Sequence, residues 1–297
     1  DFAPNVISYN AAVNACEKGD EWVQSLTKLA EMQDQDLEPD VITCSAVVSA
    51  CRNGEEWERA LRIFAERQSQ GGEPDVISYN AAISACETGK QWHVALVTSA
   101  QMRDDDLQPN RISYSAAISA CEKSEQWAWA LRILAEMHEH ELTPHVISIN
   151  AAISACTKGG RWERAVRILA MMREQDLKPD VISFNAAISA CEKAKHWERA
   201  LGMLTEMRRR EVKPNVISYS AALSACEKDE HWKEALHILL EMREQGSAPG
   251  IIGYNAAVSA CEKGNVWERA LGIFEGMTAT FFEPDMLGCN AVISARE

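Results

Sequence analysis

PDVISFNAAISACEKAKHWERAL, from Pro179 to Leu201, is one copy of a string that begins again at Pro39, Pro74, Pro109, Pro144, Pro214, Pro249 and Pro284. All nine prolines, from Pro4 to Pro284, fall on one 35-residue lattice. Trp22, Trp57, Trp92, Trp127, Trp162, Trp197, Trp232 and Trp267 do the same, which leaves Trp129 as the one tryptophan off it. A strict period of roughly 20–50 residues marks a repeat array. One catalytic pocket needs no such repetition; a surface presented at regular intervals does. The lattice divides the chain into residues 1–5, ending an earlier repeat, eight complete repeats over 6–285, and a truncated ninth over 286–297. An array cut inside repeats at both ends is expected to continue in the natural protein.

Each repeat carries two helical stripes. Tyr9, Ala12, Val13 and Cys16 follow i, i+3, i+4, i+7, and Trp57, Ala60, Leu61 and Phe64 repeat those offsets. A short break with Gly19, Gly54, Gly89, Gly159 or Gly264 lies between them, which predicts a left-handed glycine cap. The Leu-x-Pro-Asp junction stops the second helix, because proline cannot donate and biases its predecessor away from helix. Ser8, Ser78 and Ser113 then stand where an N-cap is wanted. The first helix, NAAISACEK, is small-sided and suits a tight inner layer; the second is bulky and suits an outer one. The fold class is all-α, an α-solenoid of helix–turn–helix repeats.

The composition is that of a folded chain, 46% hydrophobic and 25% charged, with no apolar run near the length of about 18 residues that spans a bilayer. Cys16, Cys51, Cys86, Cys121, Cys156, Cys191, Cys226 and Cys261 recur every 35 residues without a CxxC pair. Equivalent helices in a stack lie about 8–10 Å apart, whereas a disulfide needs Cα atoms within about 7 Å. These cysteines read as small buried apolar residues suited to a reducing compartment.

A 35-residue unit reading VISYNAAISACEK…WERALxILxEMxxxxLxPD resembles the pentatricopeptide repeat over essentially the whole chain. Tetratricopeptide repeats share the helix pair but run about 34 residues. The resemblance implies a right-handed superhelix that binds single-stranded RNA with one base per repeat. It also implies service in an organelle, chloroplast or mitochondrion, although no targeting segment is present in these residues.

Three columns face the groove if the resemblance holds. Ile7, Ile42, Ile77, Ile112, Ile147, Ile182, Ile217 and Ile252 lie outside the core stripe, and the resemblance implies that successive members clamp a base. One turn later, on the same face, come Asn10, Ser45, Asn80, Ser115, Asn150, Asn185, Ser220 and Asn255. The last residue of each repeat, Asp40, Asp75, Asn110, His145, Asp180, Asn215, Gly250 or Asp285, precedes the next isoleucine by two. Turn chemistry alone favours Asp and Asn after proline, but these residues vary inside a near-copied sequence. A carboxylate only accepts, so Asp suits the imino N–H of uracil or guanine; Asn also donates and suits cytosine or adenine. Ser leaves room for a purine, and Asn suits a pyrimidine. That stereochemistry agrees with the pairing rule the resemblance implies, and the expected target is 5′-UGCNUCNU-3′. Ser115/His145 and Ser220/Gly250 stay unassigned.

The net charge of −14 opposes nucleic acid. Lys18, Lys123, Lys158, Lys193, Lys228 and Lys263 recur at the end of the first helix, where cations also suit the helix dipole. The resemblance implies that this column meets phosphates. Glutamates such as Glu17, Glu122 and Glu192 sit directly before, so the groove is mildly basic at best. Much of the remaining acid falls on the outer helices, a face open to protein partners. The alternative to RNA binding is a peptide- or protein-binding scaffold of the tetratricopeptide kind.

No residue pattern supports an enzyme, a cofactor or a metal site. No GxGxxG, GxxxxGK[ST] or GxSxG string occurs, and His138, His140 and His145 have no repeat equivalents or cysteine partner. Trp129 is expected to be an exposed packing residue.

Overall fold

The structure, a computed structural model, describes residues 4–174 and 177–279. Expectations for Asp285 and the truncated ninth repeat lie outside the described residues. Sixteen helices of 13 residues each follow in pairs, and no strand occurs among the described residues. The first pairs are α1 (Val6–Lys18) and α2 (Trp22–Asp34), α3 (Val41–Asn53) and α4 (Trp57–Ser69), α5 (Val76–Thr88) and α6 (Trp92–Asp104), and α7 (Arg111–Lys123) and α8 (Trp127–Glu139). Then come α9 (Val146–Lys158) and α10 (Trp162–Glu174), α11 (Val181–Lys193) and α12 (Trp197–Arg209), α13 (Val216–Lys228) and α14 (Trp232–Glu244), and α15 (Ile251–Lys263) and α16 (Trp267–Ala279). The chain forms two compact bodies, Asp1–Ala155 and Cys156–Glu297, divided inside α9.

In the first body α1 packs on α3, α3 on α5 and α5 on α7; in the second, α11 packs on α13 and α13 on α15. The even helices α2, α4, α6, α12 and α14 lie against their own partner and the next odd helix, as α4 does against α3 and α5. Within each body, even helices do not pack backbone to backbone among the described residues. Small side chains allow this: Ala82, Ala85 and Cys86 on α5 are fully buried, as are Ala222, Ala225 and Cys226 on α13. Tyr79, Phe184, Tyr219 and Tyr254 fill the space beneath. Each such side chain contributes about 1.5–3 kcal/mol through burial. Cys16 is less buried than its equivalents, because no helix precedes α1 among the described residues. Burial pushes the thiols up, to about 12 at Cys86 and Cys226 and about 11 at Cys191, so they stay neutral and inert.

Helix ends depart from the sequence expectation in two ways. The N-cap is the last residue of the preceding repeat, not the serine. Asp75 is extended (φ −99°), and its Oδ1 accepts from the Ser78 N–H at 2.8 Å; Asp40, Asn110, Asp180 and Asn215 do the same for Thr43, Ser113, Ser183 and Ser218. The serine is the third helical residue, N3, and receives the cap. The second departure concerns glycine. Gly19, Gly54, Gly89 and Gly264 keep negative φ, and the left-handed residue is the next one: Asp20, Glu55, Lys90 and Asn265. Two bonds there, Asp20 N–H to Glu17 O and Glu21 N–H to Cys16 O, close a Schellman motif. The even helices end alike: Leu37, Leu107 and Leu142 donate to the carbonyls of buried Met32, Met102 and Met137. Gly72, Val212 and Ser247 make the same backbone bond, so it does not select leucine at the junction.

Close approach, not φ, accounts for Gly54, Gly89 and Gly264. A Cβ at Gly54 would lie 2.1 Å from Trp22 Cδ1, one at Gly89 2.4 Å from Trp57 Cδ2, and one at Gly264 2.3 Å from Trp232 Cδ1. Each tryptophan belongs to the preceding repeat. Where the position has a side chain, the tryptophan lies on another ring: Trp162 on His196 (4.2 Å) beside Ala194, and Trp197 on His231 (4.0 Å) beside Asp229. Gln91, the residue equivalent to His196, offers Trp57 no such ring. Gly89→Ala is therefore expected to cost about 1–3 kcal/mol in chemical denaturation. Gly19→Ala, whose Cβ would meet nothing closer than 3.4 Å, is expected to be neutral or slightly stabilising. Equal effects at the two sites would contradict this account.

Trp129 differs from its expectation as well. It is half-buried, 6.0 Å from the Trp92 ring, with the Arg132 guanidinium over it at 5.1 Å.

Candidate nucleic-acid interface

Within one odd helix the environment alternates sharply. On α5, Tyr79 is 0% exposed while Ile77, two residues earlier, is 65% exposed. All eight isoleucines share this placement, from 58% at Ile42 to 76% at Ile7. In the first body these are Ile7, Ile42, Ile77, Ile112 and Ile147, and in the second Ile182, Ile217 and Ile252. They do not seal the junction between repeats. Burial in this fold does not require an exposed aliphatic row at fixed spacing.

The two polar columns meet beside this row. Asn10 Nδ2 donates to Asp40 Oδ2 at 2.9 Å, Asn80 Nδ2 to Asn110 Oδ1 at 3.4 Å, and Asn185 Nδ2 to Asn215 Oδ1 at 3.2 Å. The partner lies 30 residues further on, yet the N-cap brings it back to the same place. Asn150 and Asp180 have their side chains in different bodies, and Asp285 is outside the described residues.

The serine positions behave differently. Ser45 Oγ turns back to Val41 O (2.7 Å) and meets Ser78 Oγ (2.8 Å); Ser115 Oγ meets Arg111 O and Ser148 Oγ, both at 2.6 Å. Neither hydroxyl reaches its last-residue partner directly. Asp75 is joined through Ser78, whose hydroxyl donates to it at 2.6 Å. His145 Nδ1 accepts from the Ile147 N–H at 3.3 Å. Gly250 caps without a side chain, and Ser220 faces Gly253, whose Cβ would stand 3.7 Å from its Oγ.

Electrostatics follow from these contacts. Burial raises the Asp40 pKa, but hydrogen bonds from Thr43 and Asn10 outweigh it and hold the carboxyl below its ordinary value. It stays an acceptor. Three of the six lysines of the column pair with the preceding repeat: Lys123 with Glu87 (3.0 Å), Lys228 with Glu192 (2.8 Å) and Lys263 with Glu227 (3.1 Å). Lys18 and Lys193 have no carboxylate partner among the described residues, since Thr157 stands where Lys193 would find a glutamate. No metal-holding group of His, Cys, Asp or Glu occurs among the described residues, and no described helix is long and apolar enough to cross a membrane.

Sequence reading missed one column. Thr43, Ser113 and Ser218 place their hydroxyls 2.5 Å from Oδ1 of Asn10, Asn80 and Asn185 in the preceding repeat. The signal was available: Ser or Thr fills this place in every complete repeat but the last, where Gly253 stands.

The fold and this surface define a helix-pair solenoid that displays a regular row of exposed isoleucines with paired polar side chains. A profile of the pentatricopeptide repeat domain matches residues 29–89, 62–124, 99–161, 132–194, 167–229 and 202–263. The chain belongs to the pentatricopeptide repeat family. Among solved structures, it is similar to the pentatricopeptide repeat protein PPR10 from maize, with a TM-score of 0.62 and 21% identity over 99% of this chain and 47% of that one. PPR10 in complex with an 18-nt psaJ RNA element gives 0.51 at 19% identity, covering 99% of this chain and 53% of that chain. The PPR domain of Arabidopsis thaliana protein-only RNase P 1, in complex with tRNA, gives 0.54 at 15% identity over 60% of this chain and 94% of that domain. These likenesses establish the fold, and the chain spans about half the length of PPR10. No curated protein sequence matches it.

Proposed function

We propose that this chain captures single-stranded RNA by sequence, one base per repeat, with Ile side chains as walls and the paired polar columns as the floor of each slot. The observation that carries this is the meeting of Asn10 with Asp40, Asn80 with Asn110 and Asn185 with Asn215 beside the exposed isoleucines. PPR10, bound to an 18-nt RNA, lends support.

The hydrogen-bond inventory separates the slots. In Asn80/Asn110, Asn110 Oδ1 is taken by the N–H groups of Ile112 and Ser113, and Asn80 Oδ1 by Ser113 Oγ. Both amides then offer N–H groups to the slot, which suits the N3 and O2 acceptors of cytosine. In Asn10/Asp40 a carboxylate oxygen stands beside one amide donor, which suits uracil with its N3–H and carbonyls. Ser45 is drawn back onto its own helix and leaves width over Asp75 for guanine. By residue type alone, the pairs Asn150/Asp180 and Asn255/Asp285 are assigned to uracil, and the slot of Asn185/Asn215 is assigned to cytosine.

Binding of 5′-UGCNUCNU-3′ against scrambled RNA and the matching DNA, at two salt concentrations, tests the proposal. Tighter binding of the octamer is expected. Six lysines each meeting a phosphate would give a salt slope of about −4; the Glu pairing predicts a shallower one. Equal binding of all sequences, or none, would favour the peptide-binding scaffold.

A further inference from the structure

The third-position hydroxyls do more than sit inside a cap. Ser113 Oγ accepts the Asn110 N–H at 3.1 Å, completing a capping box, and lies 2.5 Å from Asn80 Oδ1. A hydroxyl has one proton. With the backbone N–H held on a lone pair, that proton points to its nearest acceptor, Asn80 Oδ1; Asn110 Oδ1 is further off at 3.2 Å. Ser218 repeats the geometry, 3.1 Å from the Asn215 N–H and 2.5 Å from Asn185 Oδ1. Thr43 Oγ1 lies 2.5 Å from Asn10 Oδ1 and 2.8 Å from Asp40 Oδ1, and no capping box holds it, so the nearer Asn10 oxygen alone favours the same arrangement there. In all three the amide oxygen is turned into the protein and Nδ2 toward the last-residue partner.

An asparagine amide can rotate by half a turn and exchange donor for acceptor. An amide free to do so would accept from one base as readily as it donated to another, and would discriminate little. We infer that Thr43, Ser113 and Ser218 are positioning residues, each fixing the donor polarity of the base-selecting asparagine in the preceding repeat, so that a slot is set by four columns and not three. The inference rests on the RNA-binding reading for its consequence, though not for its geometry. The serine slots are built differently: Ser45 and Ser115 meet hydroxyls through hydroxyls, and Gly253 has none to offer Ser220.

Ser113→Ala tests it, with Ser113→Thr as the conservative rescue, since Thr43 already fills the equivalent place. The substitution keeps the backbone N–H that reaches the Asn110 cap and loses the bond from the Asn110 N–H, so a folded protein melting about 2–4 °C below wild type is expected. In the octamer, preference for cytosine over uracil at the third base should fall about tenfold toward parity. Preference at the sixth base, read by Asn185/Asn215 in the same molecule, should remain, and Thr should restore the third. Ser218→Ala should show the reverse pattern. An unchanged third-base preference in Ser113→Ala overturns the inference. Side-chain amide NMR of Asn80 in the RNA-free protein gives an independent readout. Its NH2 protons should exchange with water several-fold faster in Ser113→Ala than in wild type or Ser113→Thr. Should wild type fail to distinguish bases at all, the RNA reading falls, and equal exchange rates would then remove the positioning role too.

Discussion

Asn110→Asp should exchange cytosine for uracil as the preferred third base of the octamer. The substitution replaces an outward amide by a carboxylate oxygen while leaving the inward Oδ1, which accepts from the Ile112 and Ser113 N–H groups, in place. Asp is as good an N-cap as Asn, and Asp75 and Asp180 already serve there in neighbouring repeats. Stability should hardly change, so any shift in preference belongs to the slot. A good base contact is worth about 1–3 kcal/mol of discrimination, a figure taken from duplex DNA readout. Each 1.4 kcal/mol is about tenfold, and the swap acts on both bases, weakening one and strengthening the other. Competition binding with C or U at the third position measures it. A variant that still prefers cytosine would remove the last residue of the repeat from the selector set.

Phe184→Ala and Ile182→Ala, two residues apart on α11, should affect different properties. Phe184 is fully buried and lines a cavity with Val166, Leu169 and Met203 of the even helices, and its loss enlarges that cavity. A cost of about 3–5 kcal/mol in denaturant unfolding is expected. Ile182 is 63% exposed, and its truncation should change folding by no more than about 0.5 kcal/mol. It should instead weaken RNA binding by roughly tenfold, from apolar area no longer buried against a base. The pair tests the separation of scaffold from surface within one helix. If Ile182→Ala destabilises folding and leaves RNA affinity intact, the isoleucine row is structural.

Placement lowers the basic character of the lysine column. Glu87, Glu192 and Glu227 neutralise lysines of the following repeat across the odd-helix layer. Sequence alone put glutamate and lysine side by side on one helix; the contacts that form join residues 36 apart. The surface is thus closer to neutral than basic, and affinity must come from stacking and hydrogen bonds more than from phosphate attraction.

Much was legible without coordinates, because it depends on residues near one another in the chain. The 35-residue period, the two helices per repeat, the buried cysteines and the exposed isoleucines all follow from spacing and helix geometry. Local pattern failed where two residues could do one job. Ser8 and Asn5 are both capable caps, and only the extended backbone at Asn5 decides that it is the N-cap and Ser8 the third helical residue. The glycines at 54, 89 and 264 looked like left-handed caps, since nothing nearby in sequence announces a tryptophan from the preceding repeat.

Sequence by itself determined the repeat, its helices and which side chains face outward. Tertiary structure alone decided which way the Asn10, Asn80 and Asn185 amides point, because the hydroxyls that hold them come from 33 residues away and meet them only when one helix pair stacks on the next.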